Sequence, residues 1–372
     1  MKCKLSDICS FRKGKVEVEN LNAKNYISTE NMLPNKCGIT EASSLPTVSL
    51  TQEYNSGDVL VSNIRPYFKK IWQAEYDGGC SNDVLVFVPK PNTDKDFLYY
   101  VLADDDFFTY SMATSKGTKM PRGDKTSIMQ YEVPLIDLQV QKKIASVLKA
   151  LDERIKLNNE INNNLEQQAQ AIYQQMFIDN ARSDWAEGTL SDIADITMGQ
   201  SPNGSSYNED GTGTIFFQGR AEFGFRFPSV RLYTTEPKRM ARLNDTLMSV
   251  RAPVGDLNVA HMDCCIGRGL AAIHSKSHHQ SFVLYTMFSL KKQLDVFNGE
   301  GTVFGSINRN SLNDMPILIP SDDILDEFER IVAPMDLTIR NNYDENCHLQ
   351  DIRDTLLPRL MSGELDVSDI DL

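Results

Sequence analysis

Residues 143–177, KIASVLKALDERIKLNNEINNNLEQQAQAIYQQMF, read as one long helix whose apolar seam is interrupted by amides. Ile144, Leu148, Leu151 and Ile155 follow at spacings of four and three, which places them on one helical face. The same steps continue to Asn158, Asn162, Leu165, Ala169, Ile172 and Met176. Advancing each position by 184 residues gives Phe328, Val332, Met335, Ile339, Asn342, Asn346, Leu349, Arg353, Leu356 and Leu360, so the seam recurs with its asparagines. A buried Asn in a helix seam lowers stability but fixes register, because a slipped pairing leaves its amide unsatisfied. Asn158, Asn162, Asn342 and Asn346 are therefore expected to set the register of an antiparallel coiled coil. The plainer alternative is that NNEINNN is an exposed polar stretch. Pro334 and Pro358 predict a kink or break in the second helix.

The repeat extends beyond the helices. KLSDICSF at residue 4 returns as TLSDIADIT at 189, and SGDVLVSNIRPYF at 56 as LNDTLMSVRAPVG at 243, which sets Arg65 opposite Arg251. YEVPLIDL at 131 matches NDMPILIP at 313. Runs such as VLVFV, TIFFQG and TLMSV, punctuated by Gly, Asn and Pro, predict short strands joined by turns. DFLYYVLADDDFFTYSM and SFVLYTMFSLKKQLDVF add a helical segment to each block. The expected fold is α+β: two α/β modules alternating with two long helices, related by a pseudo-twofold internal repeat.

The net charge of −13 is unevenly spread. Residues 317–372 hold 4 basic and 14 acidic side chains, whereas residues 1–137 hold 16 and 18, and residues 182–316 hold 13 and 14. The acid belongs to the end of the chain, and an anionic partner for the modules is not excluded. Seven cysteines without paired spacing fit reduced thiols, and neither a signal peptide nor a membrane-length apolar run is apparent. The expectation is a cytoplasmic chain.

Chemistry of its own is hard to find. There is no Walker-type phosphate loop and no Asn/Asp-Pro-Pro-aromatic tetrapeptide, and DGTGTIFFQG reads as a turn before a strand. His261, Cys264 and Cys265 lie close together, but adjacent cysteines cannot easily share one tetrahedral ion. No metal and no catalytic residue is expected.

Taken with this architecture, MGQSPNGSSYNEDGTGTIFFQGRAEF, SVRAPVGDLNVAHMDCCIGRGLAAI, NYISTENM, SGDVLVSNIRPYFKK and the closing LQDIRDTLLPRLMSGEL make the chain resemble the specificity subunits of Type I restriction–modification systems. The resemblance covers nearly the whole chain. It implies target-recognition domains at 1–136 and 182–316, and conserved helical regions at 137–181, the spacer, and 317–372, which carries the acidic tail. It further implies a non-catalytic chain that reads a bipartite, asymmetric double-stranded DNA site. Two methyltransferase subunits and the restriction (translocase) subunits would be its partners, with S-adenosylmethionine, ATP and magnesium on those subunits rather than on this chain. Some 40 helical residues would span roughly 60 Å, enough to hold two readers about one duplex turn apart. One departure is the acidic start SDDILDEFERI of the second helix, where the family has a Gln-rich one.

Phosphate contacts need cations, and base readout needs Arg, Lys, Asn or Gln at groove edges. In the first module SNIRPYFKKIW and SKGTKMPRGDK offer Arg65, Lys69, Lys70, Lys116, Lys119, Arg122 and Lys125. In the second the candidates are Gln218, Arg220, Arg226, Arg231, Lys238, Arg239, Arg251, Arg268, Asn308 and Arg309. Each could be a solvated surface charge, and Arg65 and Arg251 could equally be structural ion pairs common to both modules. The alternative function is a coiled-coil assembly scaffold without DNA readout. A self-contained methyltransferase or nuclease lacks its motifs.

Overall fold

The computed structural model describes residues 2–299, 305–365 and 367. It resolves into two compact units, one of Met1–Asn158 with Asp344–Leu372, the other of Asn159–Tyr343. The two long helices, Leu138–Tyr173 and Asp322–Ser362, each run unbroken from one unit into the other.

The first unit opens with strand Lys2–Lys4, antiparallel to Glu132–Pro134 with Cys3 opposite Val133. The LSDI sequence that follows forms a short helix, Leu5–Ile8. Asp7 accepts the Lys4 N–H at 2.9 Å, while Leu5 and Ile8 turn inward. One sheet has the order Cys9–Phe11, Val84–Pro89, Val59–Ser62, Ile71–Gln73. A second has the order Lys15–Glu17, Leu50–Tyr54, Gly78–Cys80, Tyr26–Ile27. The predicted helical segment is divided at Asp104, whose carboxylate caps Asp105–Ala113 by accepting the Asp106 N–H at 3.1 Å. Phe87, Phe97 and Phe107 pack with Ile144 and Leu148 of the first long helix and with Leu357 and Leu360 of the second. Burying each such side chain contributes roughly 1.5–3 kcal/mol, which is why these half-helices stay docked.

The second unit begins likewise. Ala186–Thr189 pairs antiparallel with Pro316–Ile319, and a second LSDI helix, Leu190–Ile193, is capped by Asp192 on the Thr189 N–H at 2.7 Å. Its first sheet has the order Ala194–Met198, Leu270–Ser275, Thr246–Ser249, Leu257–Val259, and a five-stranded sheet adjoins it. Helix Gln280–Ser289 packs Phe282 and Tyr285 against Tyr173, Phe328 and Val332 of the two long helices and against Phe177, just beyond the first.

Within each unit the two long helices run in opposite directions. In the first, Asp152 meets Arg353 at 2.8 Å while Asn158, further along, donates to Asn346 Oδ1 at 2.9 Å. In the second, Asn342 donates to Asn162 Oδ1 at 2.8 Å, and the Tyr173 and Phe328 rings lie 5.9 Å apart. Asn158, Asn162 and Asn346 are buried and Asn342 half-buried, so NNEINNN is not a wholly exposed stretch.

One sequence expectation changes. The second long helix is not broken at Pro334 or Pro358, because both prolines and the residue four positions before Pro334, Arg330, are exposed. The carbonyl that loses its donor to Pro334 can therefore be hydrated. The acidic start of that helix also has a use: Glu329 accepts the Phe282 N–H at 2.9 Å and Asp326 meets His279 Nε2 at 2.9 Å, at the start of helix Gln280–Ser289. In the first unit a glutamine does comparable work, as buried Gln141 accepts the Asp94 N–H at 2.9 Å. Of the acidic tail, Asp366 and residues 368–372 lie outside the described residues.

Candidate nucleic-acid interface

In the first unit the two basic stretches come together. Strand Val59–Ser62 leads into a turn, Pro66–Phe68, bracketed by Arg65 and Lys69 at φ of 50° and 49°. The Arg65 N–H donates to the Pro121 carbonyl at 2.8 Å, and Arg122 pairs with both Ile64 and Lys116 as isolated bridges. Gly123 is tightly enclosed here, a β-carbon on it lying 2.8 Å from Asn63 Oδ1 and from Ile128 Cδ1.

Most of these cations already have a partner. Lys69 meets Asp105 at 2.7 Å, Lys116 meets Asp124 at 2.8 Å, and Arg122 meets Asp83 at 3.2 Å. Lys70 donates to the Thr29 carbonyl at 2.6 Å, and burial lowers its pKa. Lys125 lies 5.9 Å from the Phe11 ring centroid. Arg65 and Lys119 have no ion pair among the described residues. Exposed pairs of this kind are worth roughly 0–1 kcal/mol, so a phosphate could compete for the paired lysines as well.

In the second unit, four chain segments converge on a recess of about 260 Å³ lined by Ser201, Gln218, Arg220, Ser249, Arg251 and Arg268. Strand Thr214–Phe217 delivers Gln218, the parallel strand Cys264–Ile266 delivers Arg268, and Thr246–Ser249 leads to Arg251. Glycine makes the convergence possible: a β-carbon on Gly267 would lie 2.7 Å from the Gln218 carbonyl oxygen, and one on Gly199 2.1 Å from the Gly267 carbonyl oxygen. Arg220 is ion-paired with Asp256, whereas exposed Arg251 and Arg268 have no ion pair among the described residues. The recess therefore combines two uncompensated guanidiniums with an exposed amide, a donor set suited to phosphate oxygens or to the O6/N7 edge of guanine.

The other candidates lie outside this recess. Arg231 meets Glu209 and Glu222 at 3.3 and 3.2 Å. Lys238, Arg239 and Arg309 are exposed. The Asn308 side chain caps Arg309–Asn313, accepting the Ser311 N–H at 3.0 Å. Arg226 must be withdrawn, because it is buried between Glu166 at 3.0 Å and Asp336 at 3.3 Å and donates to Tyr285 Oη at 3.2 Å. Burial raises the Glu166 pKa despite that guanidinium. Sequence reasoning had nominated neither Ser201, whose hydroxyl accepts the Arg268 N–H at 3.2 Å, nor Ser249. MGQSPNG was the available signal for Ser201. Cys264 and Cys265 join separate apolar clusters, as neighbouring strand residues must, and burial pushes the Cys264 thiol up to about 12.

Residues 1–167 match the family described as the Type I restriction modification DNA specificity domain. A Methanocaldococcus jannaschii chain named for the MjaX type I restriction enzyme specificity subunit is 29% identical over 84% of this chain and 79% of its own. The HindI specificity subunit of Haemophilus influenzae is 23% identical over 91% of this chain and 94% of its own. The crystal structure of a Type I restriction–modification S subunit from M. genitalium shares the fold, with a TM-score of 0.62 at 16% identity, covering 99% of this chain and 96% of that one. Residues 1–167 thus match the Type I restriction modification DNA specificity domain, and over most of its length the chain is similar to Type I restriction enzyme specificity subunits.

Proposed function

We propose that this chain is the non-catalytic DNA-recognition subunit of a Type I restriction–modification complex. The observation that carries the reading is the recess holding Gln218, Arg251 and Arg268, in a chain whose relatives are specificity subunits. The modules at 1–136 and 182–316 act as two target-recognition domains reading unlike halves of a bipartite site. The helical regions at 137–181 and 317–372 act as an antiparallel coiled coil that sets their spacing and positions methyltransferase and restriction subunits. S-adenosylmethionine, ATP and magnesium then belong to those partners, and the complex works in the cytoplasm.

Several paired features support the internal repeat. Both units have the LSDI helix and the same order of corresponding strands in one sheet. Tyr100 donates to Asp152 at 2.7 Å, and Tyr285 to Asp336 at 2.8 Å. Lys156 reaches Glu75 at 3.0 Å, and Arg340, 184 residues later, reaches the His261 carbonyl at 2.8 Å.

Footprinting of the purified complex tests the reading. Two short protected patches flanking an unprotected gap are expected, with the split motif returned by methylation mapping of the source genome. Uniform or absent protection would leave an assembly scaffold, and methyl transfer by the isolated chain would make it an enzyme.

A further inference from the structure

We propose that the first unit inserts an aromatic wedge, Tyr67 with Phe68, between stacked base pairs of its half-site. The inference rests on the DNA-recognition reading above and adds how one half of the site is read. Its starting point is backbone conformation. Of the six non-glycine residues with positive φ among the described residues, four are Asn35, Lys36, Arg65 and Lys69. All four belong to one small assembly. Arg65 and Lys69 flank the Pro66–Phe68 turn, the Asn35 N–H donates to the Phe68 carbonyl at 2.8 Å, and the Lys36 N–H donates to the Lys69 carbonyl at 2.9 Å. Asp105 holds the ammonium groups of both Lys36 and Lys69. Left-handed backbone at residues bearing a β-carbon persists only where surrounding contacts over-determine it, and such places are often functional.

The clasp presents apolar surface to solvent. Tyr67 is 50% exposed and Phe68 38%, with ring centroids 4.6 Å apart, while the preceding Pro66 is buried. Met120, 47% exposed, lies next to Pro121, whose carbonyl accepts the Arg65 N–H. Arg65, which brackets the turn, and Lys119, two residues before Pro121, are in no ion pair among the described residues. Apolar side chains that enter a base step, flanked by cations that meet the adjoining phosphates, are the means by which proteins unstack and kink a duplex. The charge complementarity thus commits the patch to DNA.

The matching run in the second unit, Arg251–Ala252–Pro253–Val254, has no aromatic residue, and Val254 is buried. Insertion by this turn is therefore confined to one half of the site.

The test uses the full-length chain and a duplex carrying the split motif from methylation mapping. 2-Aminopurine replaces, one at a time, purines of each half other than the methylated adenine. Fluorescence should rise on binding at a step in one half only. The double variant Tyr67→Ala/Phe68→Ala should lose that rise and bind about tenfold more weakly, whereas Tyr67→Trp keeps both. Because both rings are partly exposed, the double variant should melt near the parent temperature. A rise that survives the double substitution, or tight parent binding with no rise, overturns the wedge and leaves the recognition reading standing. A double variant that binds DNA normally but no longer co-purifies with modification subunits makes the patch a protein-docking surface and also overturns it. Absence of specific binding by the parent chain removes the recognition reading, and the wedge with it.

Discussion

The Asn158 amide nitrogen lies 2.9 Å from Asn346 Oδ1 and 2.9 Å from Glu345 Oε2, so one buried asparagine on the first long helix engages two successive residues of the second. Asn158→Ala removes that donor from both acceptors. It is expected to destabilise the fold by about 1–3 kcal/mol, read as a lower urea midpoint at unchanged slope. Asn158→Leu with Asn346→Leu should recover the loss while weakening register specificity, seen as mixed oligomers in sedimentation. A single variant as stable as the parent would remove the amide pair as a register element.

Arg226 is the clearest separation of structure from binding. Arg226→Met leaves Glu166 and Asp336 without their buried cation. Breaking a buried pair in this way costs about 3–5 kcal/mol, detectable by calorimetry or chemical denaturation. At temperatures where the variant stays folded, the salt dependence of DNA binding should match the parent. A lost unit of slope would return Arg226 to the list of contacts.

Arg268 and Lys119 should fail in different ways. Arg268→Ala removes one of two uncompensated guanidiniums from the recess, and if it reads a base it should cost about 1–3 kcal/mol and relax specificity at one position. Lys119→Ala should weaken binding evenly across sequences and lower the salt slope by about one. Lys116→Ala should have a smaller effect, because Asp124 already holds that ammonium at 2.8 Å. Competition binding at several salt concentrations separates the three.

Asp124 carries the pH prediction. The Lys116 ammonium, with the Ser127 N–H and hydroxyl, lowers its pKa to about 2 from an ordinary 3.8. The folded value lies below the unfolded one, so this contribution to stability is complete above about 3.8 and is lost as pH falls through about 2. Carbon-detected NMR titration should place the carboxyl near that lower value and find it raised in Lys116→Ala. An unchanged midpoint in the variant would rule out Lys116 as the main cause.

The periodicity of the sequence was enough to find the long helices and their amide seams, because a 3.6-residue repeat of apolar and amide positions survives without any knowledge of neighbours. That the helix continues past Pro334 was not legible for the same reason: a proline's effect depends on whether the carbonyl it frees can reach water, which one-dimensional spacing does not record. The basic clusters were legible as clusters, and SNIRPYFKKIW and SKGTKMPRGDK do meet at the Arg65–Pro121 hydrogen bond.

Local pattern in the sequence by itself determined the strand–turn texture, the recurrence of LSDI, the duplicated seams and the resemblance to a family. Tertiary structure alone decided which charges are free. Arg226 and Arg268 look alike in sequence, yet one is enclosed by Glu166, Asp336 and Tyr285 while the other lines an open recess. The physical reason is that an ion pair or a desolvated guanidinium is set by side chains tens to over a hundred residues apart, whose approach is dictated by packing of the whole unit.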